Sequence, residues 1–271
     1  ESYPERLKHI DSPPKRLFVK GKLPDASKLS VAVVGARNCT PYGRDMARMF
    51  SYRLAVAGVF VISGMALGID GWGHQGALEA GSETYAVLGS GVMQCYPLCH
   101  QNLYESIIRH GGVISEFPVY ARAKPVFFPM RNRIISGLSD GILVVEAREK
   151  SGSLITADAA LEQGKDVFVI PGRIGDELSV GCNRLIRMGA VPVLTPDDIL
   201  DYYGVKTSDG SRNVNETEQK ILAFLGGKTM HMDEISAGLS LPMTQLLKCM
   251  IVLQKKGYVI EVGRNFFMKK I

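Results

Sequence analysis

The chain has 271 residues, of which 46% are hydrophobic and 22% charged, with a formal net charge of +5. That is enough apolar material for one large domain and a small one, and no apolar run reaches the roughly 18 residues that a bilayer span requires. The mild positive charge is compatible with nucleic acid without demanding it.

The start, ESYPERLKHID, is polar and reads as no export signal. Together with five scattered cysteines (Cys39, Cys95, Cys99, Cys182, Cys249) it leads us to expect reduced thiols in a cytoplasm. The first residue is Glu1 and not Met, so an upstream segment is expected as well. Residues 1–29 hold four prolines and no clean period, and are expected to pack along the next domain as an irregular lead-in.

From residue 30 to residue 203 the pattern is strand, glycine turn, helix, repeated. VAVVG (31–35) reads as a buried strand and RDMARMFSYRLAVAG as the helix after it. VFVISG (59–64) precedes a helix through IDGWGHQGALEAG, and TYAVLG (84–89) precedes a helical stretch near QNLYESIIRHG and then VISE. GILVVEA (141–147), DVFVIPG (166–172) and AVPVL (190–194) are three more apolar strands. Continuous apolar runs are expected where a parallel sheet is covered on both faces. Strands spaced by helices imply βαβ units, so the fold class is α/β: an extended Rossmann-like, doubly wound, mostly parallel sheet.

Residues 204–214 (GVKTSDGSRNV) read as a linker. Residues 215–271 then resemble a small winged-helix domain. NETEQKILAFLGG is an amphipathic helix capped by Asn215, HMDEISAGLSL a second, and PMTQLLKCMIVLQKKG a third that ends at a glycine. YVIEVGRNFFMKK alternates around a turn as a hairpin does. This part carries eight Lys/Arg against five Asp/Glu. Its third helix is mostly apolar, whereas a base-reading helix is richer in polar side chains, so protein docking and DNA reading both stay open.

In an open α/β sheet, ligands bind beyond the carboxyl ends of the strands. EKSGSLITA (149–157) lies there, where GILVVEA turns into a helix. The unpartnered N–H groups of a helix start make such a turn an anion site. Lys150 would supply charge, and Ser151, Gly152 and Ser153 direction. The usual cofactor determinants are missing, so no cofactor is expected. GARNCTPYG (35–43) lacks the later glycines of the dinucleotide fingerprint, no Walker lysine motif occurs, and Ser63 and Gly64 stand where a ribose-binding acid would close the second strand. Cys95, Cys99 and His100 in CYPLCH lack a further ligand and paired spacing, so no metal is expected. Nothing resembles a nucleophile elbow, His74 reads as a packing or hydrogen-bonding residue, and Asp70 as a helix cap or first-turn acid. No acid–His pairing or other catalytic set is readable from these residues. The competing reading is a nucleotide-processing enzyme of the phosphoribohydrolase type. PGRIGDE loosely echoes the glycine loop of those folds, with Arg173 interrupting it and Asp176 and Glu177 as paired carboxylates.

Between Ala121 and Gly137 stand Arg122, Lys124, Arg131 and Arg133, with no acid, beside Phe127 and Phe128. Cations neutralise phosphates and rings stack on bases, the two needs of a single-strand groove. The bland alternative is a loop with buried phenylalanines followed by solvated arginines on a helix start.

VAVVGARNCTPYG, SGMALGIDGWGHQGAL, VLGSGVMQCYP, ISEFP, FPMRNRIISGLS, VVEAREKSGSLITADAALEQGKDVFVIPG and GCNRLIRMGA occur in this order. Together they resemble the DNA-processing protein A (DprA/Smf) family of bacterial recombination mediators over about residues 3–200. The resemblance implies a cytoplasmic homodimer that binds single-stranded DNA on the Rossmann-like domain during natural transformation. It also implies RecA recombinase as a partner, loaded onto the protected strand. The implied DNA-binding residues are Gly35, Arg37, Ser63, Gly64, Lys124, Arg131, Asn132, Arg133, Lys150, Ser151, Gly152, Ser153 and Thr156. The sequence departs from the family pattern at Leu67, where a basic DNA contact is usual, near Met93, where an acid is usual, and at Gly73, which replaces an alanine. The family resemblance also implies that the missing upstream segment is a small helical domain.

Overall fold

The computed structural model describes residues 3–205, 215–226, 228–255 and 258–269. The chain divides into two compact units, Glu1–Lys206 and Thr207–Ile271.

The first unit is built on an eight-stranded sheet. In chain order its elements are β1 (Phe18–Gly21), β2 (Ser30–Val34), α1 (Pro41–Val56), β3 (Phe60–Ser63), α2 (Ile69–Glu79), β4 (Thr84–Val87), α3 (Gln101–His110), β5 (Gly112–Ser115), α4 (Phe127–Leu138), β6 (Gly141–Val144), α5 (Gly152–Glu162), β7 (Asp166–Val169), α6 (Val180–Arg187), β8 (Val191–Pro192) and α7 (Pro196–Tyr202). The strand order is β1-β5-β4-β3-β2-β6-β7-β8. All neighbours run parallel except β1, which pairs antiparallel with β5.

The apolar runs have the predicted cause. Along β2, Ala32 and Val34 join one core with Ile134, Ile135, Leu138, Ala157 and Leu185 of α4, α5 and α6. Val31 and Val33 join the opposite core with Met46, Phe50, Leu54, Ile69 and Ile199 of α1, α2 and α7. Alternate side chains leave a strand on opposite faces, and both faces here are covered, so every position is apolar. Fully burying one such side chain is worth about 1.5–3 kcal/mol. A third cluster, around Leu88, Tyr104 and Ile107, seats α3.

The lead-in needs one correction. It is not irregular throughout, because Phe18–Gly21 forms the edge strand β1 and residues Glu5–His9 form a short 3-10 turn. Leu7 and Ile10 from that segment are buried in the same core as α4. FVKG is only half-buried, so it shows no continuous apolar run to read.

From β2 the chain steps through β3, β4 and β5 to one side, then returns with β6 to the other. The reversal opens a crevice between the carboxyl ends of β2 and β6, the place where ligands bind in open α/β sheets.

The second unit consists of α8 (Glu216–Leu225), β9 (Met230–His231), α9 (Met232–Leu239), α10 (Met243–Lys255), β10 (Val259–Gly263) and β11 (Phe266–Lys269). Its sheet has the order β10-β11-β9, with both pairs antiparallel. Ile221, Leu225, Ile235, Leu246, Met250, Leu253 and Phe267 form its core. Asn215 caps α8 as expected: its Oδ1 accepts from the Glu218 N–H at 2.8 Å, and Glu218 Oε2 accepts from the Asn215 N–H at 3.2 Å. Most of the expected linker and the glycine expected to end α10 lie outside the described residues. Among the described residues no single helix is long and apolar enough to cross a membrane.

Candidate nucleic-acid interface

The crevice is assembled by three turns that hydrogen-bond to one another. After β2, the Ala36 N–H donates to Glu146 O at 2.8 Å, tying the first turn to the end of β6. The Ile69 N–H donates to Ala36 O at 3.2 Å, tying it to α2. Gly68 starts α2 with φ of +74°, and a Cβ there would lie 2.2 Å from Ala36 O, so no other residue fits that crossing. After β6, Ser151 caps α5: its Oγ accepts from the Ser153 N–H at 3.4 Å and lies 2.8 Å from Ser153 Oγ. Asn132 Nδ2 on α4 donates to Gly152 O at 3.2 Å, so α4 fixes the turn.

These turns enclose a cavity of about 590 Å³. Of the residues implied from sequence, Gly35, Arg37, Arg131, Asn132, Lys150, Ser151, Gly152, Ser153 and Thr156 line it. Arg37 and Lys150 are exposed. A Cβ on Gly152 would meet nothing within 4 Å, so packing does not demand glycine there; the space in front of that backbone is open. The start of α5 thus lines the cavity, its Ser153 N–H taken by Ser151 Oγ and its Leu154 N–H by Ser151 O at 3.1 Å.

Four implied residues lie outside this lining. Ser63 is wholly buried, and its Oγ donates to Val33 O at 2.6 Å. Gly64 is buried behind Arg131, whose guanidinium a Cβ would meet at 2.5 Å. Arg133 points from α4 to Glu116, with which it forms an ion pair, and its carbonyl accepts from Gln163 Nε2 at 3.1 Å. Lys124 is exposed, but its ammonium lies over the Phe127 ring, 5.6 Å from the centroid, on the stacked pair of Phe117 and Phe127. The cause for the two arginines is helix geometry. Positions two apart on α4 differ by about 200° around the axis, so Arg131 and Arg133 cannot serve one cavity.

Arg131 reaches the cavity wall but is only 3% exposed. Its Nη1 donates to Gly64 O at 2.8 Å and to Val87 O, the carbonyl ends of β3 and β4. Burial pushes its pKa down to about 10. Asp70 is buried beside it, in the first turn of α2 and not at the cap. Its carboxylate accepts from the Gly64 N–H at 3.1 Å and the Ala66 N–H at 3.4 Å. Burial raises the Asp70 pKa, and the Arg131 charge opposes that rise. These two groups fix the second turn; their hydrogen-bonding capacity is directed inward. His74 is buried as a hydrogen-bonding residue, with Nδ1 2.7 Å from Thr84 Oγ1.

Sequence reasoning missed three lining residues. Tyr96, read only within CYPLCH and VLGSGVMQCYP, stands 5.5 Å from Phe128, centroid to centroid. The Arg37 guanidinium lies 5.1 Å from the Phe128 centroid on the same wall. Arg148 and Asn38 also face the cavity. Arg148 is exposed and pairs with Glu177 at 2.8 Å. Position beyond a strand's carboxyl end was the available signal for both Arg148 and Tyr96. Of the departures from the family pattern, Leu67 and Met93 are both partly exposed and outside the lining, while Gly73 is buried against Val33 and Ser51. The cavity can therefore offer phosphate three exposed cations beside the positive end of the α5 dipole, and can offer a base two rings. Among the described residues no group of three or more His, Cys, Asp or Glu could hold a metal ion.

The family model for DNA recombination-mediator protein A matches residues 1–204. Protein Smf of Escherichia coli (strain K12) is 38% identical over 279 residues, covering 98% of this chain and 75% of that protein. The DNA processing protein DprA of Bacillus subtilis (strain 168) is 39% identical, covering 80% and 72%. The X-ray structure of DNA processing protein A from Streptococcus pneumoniae superposes with a TM-score of 0.70 at 41% identity, covering 73% of this chain and 70% of that one. A structure of DNA processing protein A from Helicobacter pylori, described for its single-stranded DNA binding mode, has a TM-score of 0.70 at 28% identity, covering 75% and 93%. The chain belongs to the DNA recombination-mediator protein A family.

Proposed function

We propose that this chain is a DNA-processing protein of natural transformation that binds single-stranded DNA in the β2–β6 crevice. The observation that carries the reading is the single wall on which Arg37, Phe128 and Tyr96 adjoin the open start of α5. A strand needs charge for its backbone and rings for its bases, and this wall supplies both. The likeness to the DprA proteins of Bacillus subtilis and Streptococcus pneumoniae, and to that of Helicobacter pylori, described for its single-stranded DNA binding mode, supports it. In this reading the protein works in the cytoplasm as a homodimer, binds without catalytic turnover, protects the strand and passes it to RecA recombinase. Because Leu67 supplies no charge, Arg37, Arg148 and Lys150 carry the backbone contacts, and Arg131 keeps the second turn in place.

Residues 215–271 act as a winged helix in this reading, and they dock protein. Met243, Leu247 and Ile251 of α10 form an exposed apolar stripe at i, i+4, i+8, where a base-reading helix carries polar groups.

The test is fluorescence anisotropy with labelled oligo-dT. Arg37→Ala combined with Lys150→Ala should weaken binding at least tenfold, since each charged hydrogen bond to phosphate is worth roughly 1.5 kcal/mol. Wild-type affinity in the double variant would remove the crevice as the site.

A further inference from the structure

A second groove, of about 910 Å³, lies beside the first at the carboxyl ends of β6 and β7. Arg148 and Leu178 line both. Its floor and one wall are apolar: Pro41, Val145, Ile170 and Pro171. Tyr42, in the first turn of α1, stands at the edge with 51% of its surface exposed. The far wall is fixed. Asn183 holds the Gly172 backbone on both sides, accepting from its N–H at 3.2 Å and donating to its O at 3.0 Å. The Ala147 N–H donates to Leu178 O at 2.7 Å, tying that wall back to the end of β6.

The charge pattern selects what enters. Glu146 at the floor is 6% exposed, and its oxygens accept from the Thr40 N–H at 2.9 Å and the Thr40 hydroxyl at 2.5 Å. Asp176 and Glu177 add carboxylates at the edge, against Arg148 and Arg173. A phosphate inside would therefore face three carboxylates. An uncharged, flat, apolar-faced group would meet a ring and a proline-lined slot.

We infer that this groove continues the DNA path: a strand leaving the first cavity passes a phosphate over Arg148 and lays its next base in the second groove against Tyr42. The inference rests on the single-strand reading above and adds a second base subsite to it. Glu177 holds Arg148 at 2.8 Å, in a pair whose side chains are 53% and 71% exposed. A pair so exposed is weak, and a phosphate displaces the carboxylate from it. Glu177 thus restrains entry into the second subsite.

The experiment compares two labelled oligo-dT lengths on the full chain. One of about 4 nucleotides suits the first cavity alone, and one of about 12 reaches the second groove. Tyr42→Ala should weaken the longer oligonucleotide about tenfold, the loss of one stacking ring, and leave the shorter one unchanged. Tyr42→Phe should bind both as the wild type does. Glu177→Gln should tighten the longer one several-fold and not the shorter, an arm that holds even if Tyr42→Ala folds poorly. Equal affinities of the folded Tyr42→Ala variant and wild type for the longer oligonucleotide overturn the second subsite, as does equal weakening of both lengths. Wild-type protein that binds neither length overturns the single-strand reading itself, which separates that failure from the failure of this subsite.

Discussion

Salt dependence is the sharpest probe of which cations meet the strand. Three exposed cations line the first cavity: Arg37, Arg148 and Lys150. Each phosphate neutralised on a single strand contributes about 0.7 to the slope of log affinity against log salt, so the wild-type slope should be about −2. Lys150→Ala removes one such cation and should bring it to about −1.4. Between about 50 and 200 mM salt the wild type should then lose about 18-fold in affinity and the variant about 7-fold. Anisotropy titrations of labelled oligo-dT at four salt concentrations measure both. Arg131 supplies the contrast: its donors are spent on Gly64 O and Val87 O, so Arg131→Met should leave the slope unchanged. An unchanged slope in Lys150→Ala, or one lowered by Arg131→Met, would refute this assignment of charges.

Arg131→Met should also destabilise the first unit by about 3–5 kcal/mol, because it strands the buried Asp70 charge and two strand-end carbonyls; a urea-midpoint change worth under about 1 kcal/mol would contradict that role. Asp70→Asn placed with it should recover part of the loss. Burial depresses the His74 pKa from 6.5 to about 3. Below about 6.5 the unfolded chain binds a proton that the folded chain refuses. The His74 contribution is therefore complete above that pH and falls by about 1.4 kcal/mol per pH unit toward pH 3. His74→Gln should flatten stability between pH 6.5 and 4, followed by denaturant midpoints, and an unaltered pH profile would rule the effect out. Asn215→Ala opens the capping box of α8 and should cost about 1 kcal/mol, seen as an earlier thermal transition of the second unit. No change in that transition would mean the cap contributes nothing.

Local sequence determined a good deal. Continuous apolar runs in VAVVG, GILVVEA and DVFVIPG specified strands covered on both faces, and hence the α/β class, because the requirement acts at every position of the run. Asn215 marked the start of α8, because a cap is satisfied within three residues. The anion-type turn at 149–157 was legible for the same reason. Strand β1 was not, since FVKG is only half-buried and takes its shape from pairing with β5.

The fate of each charge was decided only by tertiary structure. Arg131 and Arg133 look alike in PMRNRIIS. One is buried against Gly64 and Val87, while the other pairs with Glu116. Arg148 and Tyr96 are far apart in the chain and meet in one cavity lining. Helix phase, and the elements packed against each face, set these outcomes, and both depend on residues distant in the chain. The sequence by itself determined a doubly wound sheet with phosphate-type turns; the folded sheet decided which cations face the crevice, because a charge reaches a ligand only where no backbone carbonyl or carboxylate has already taken it.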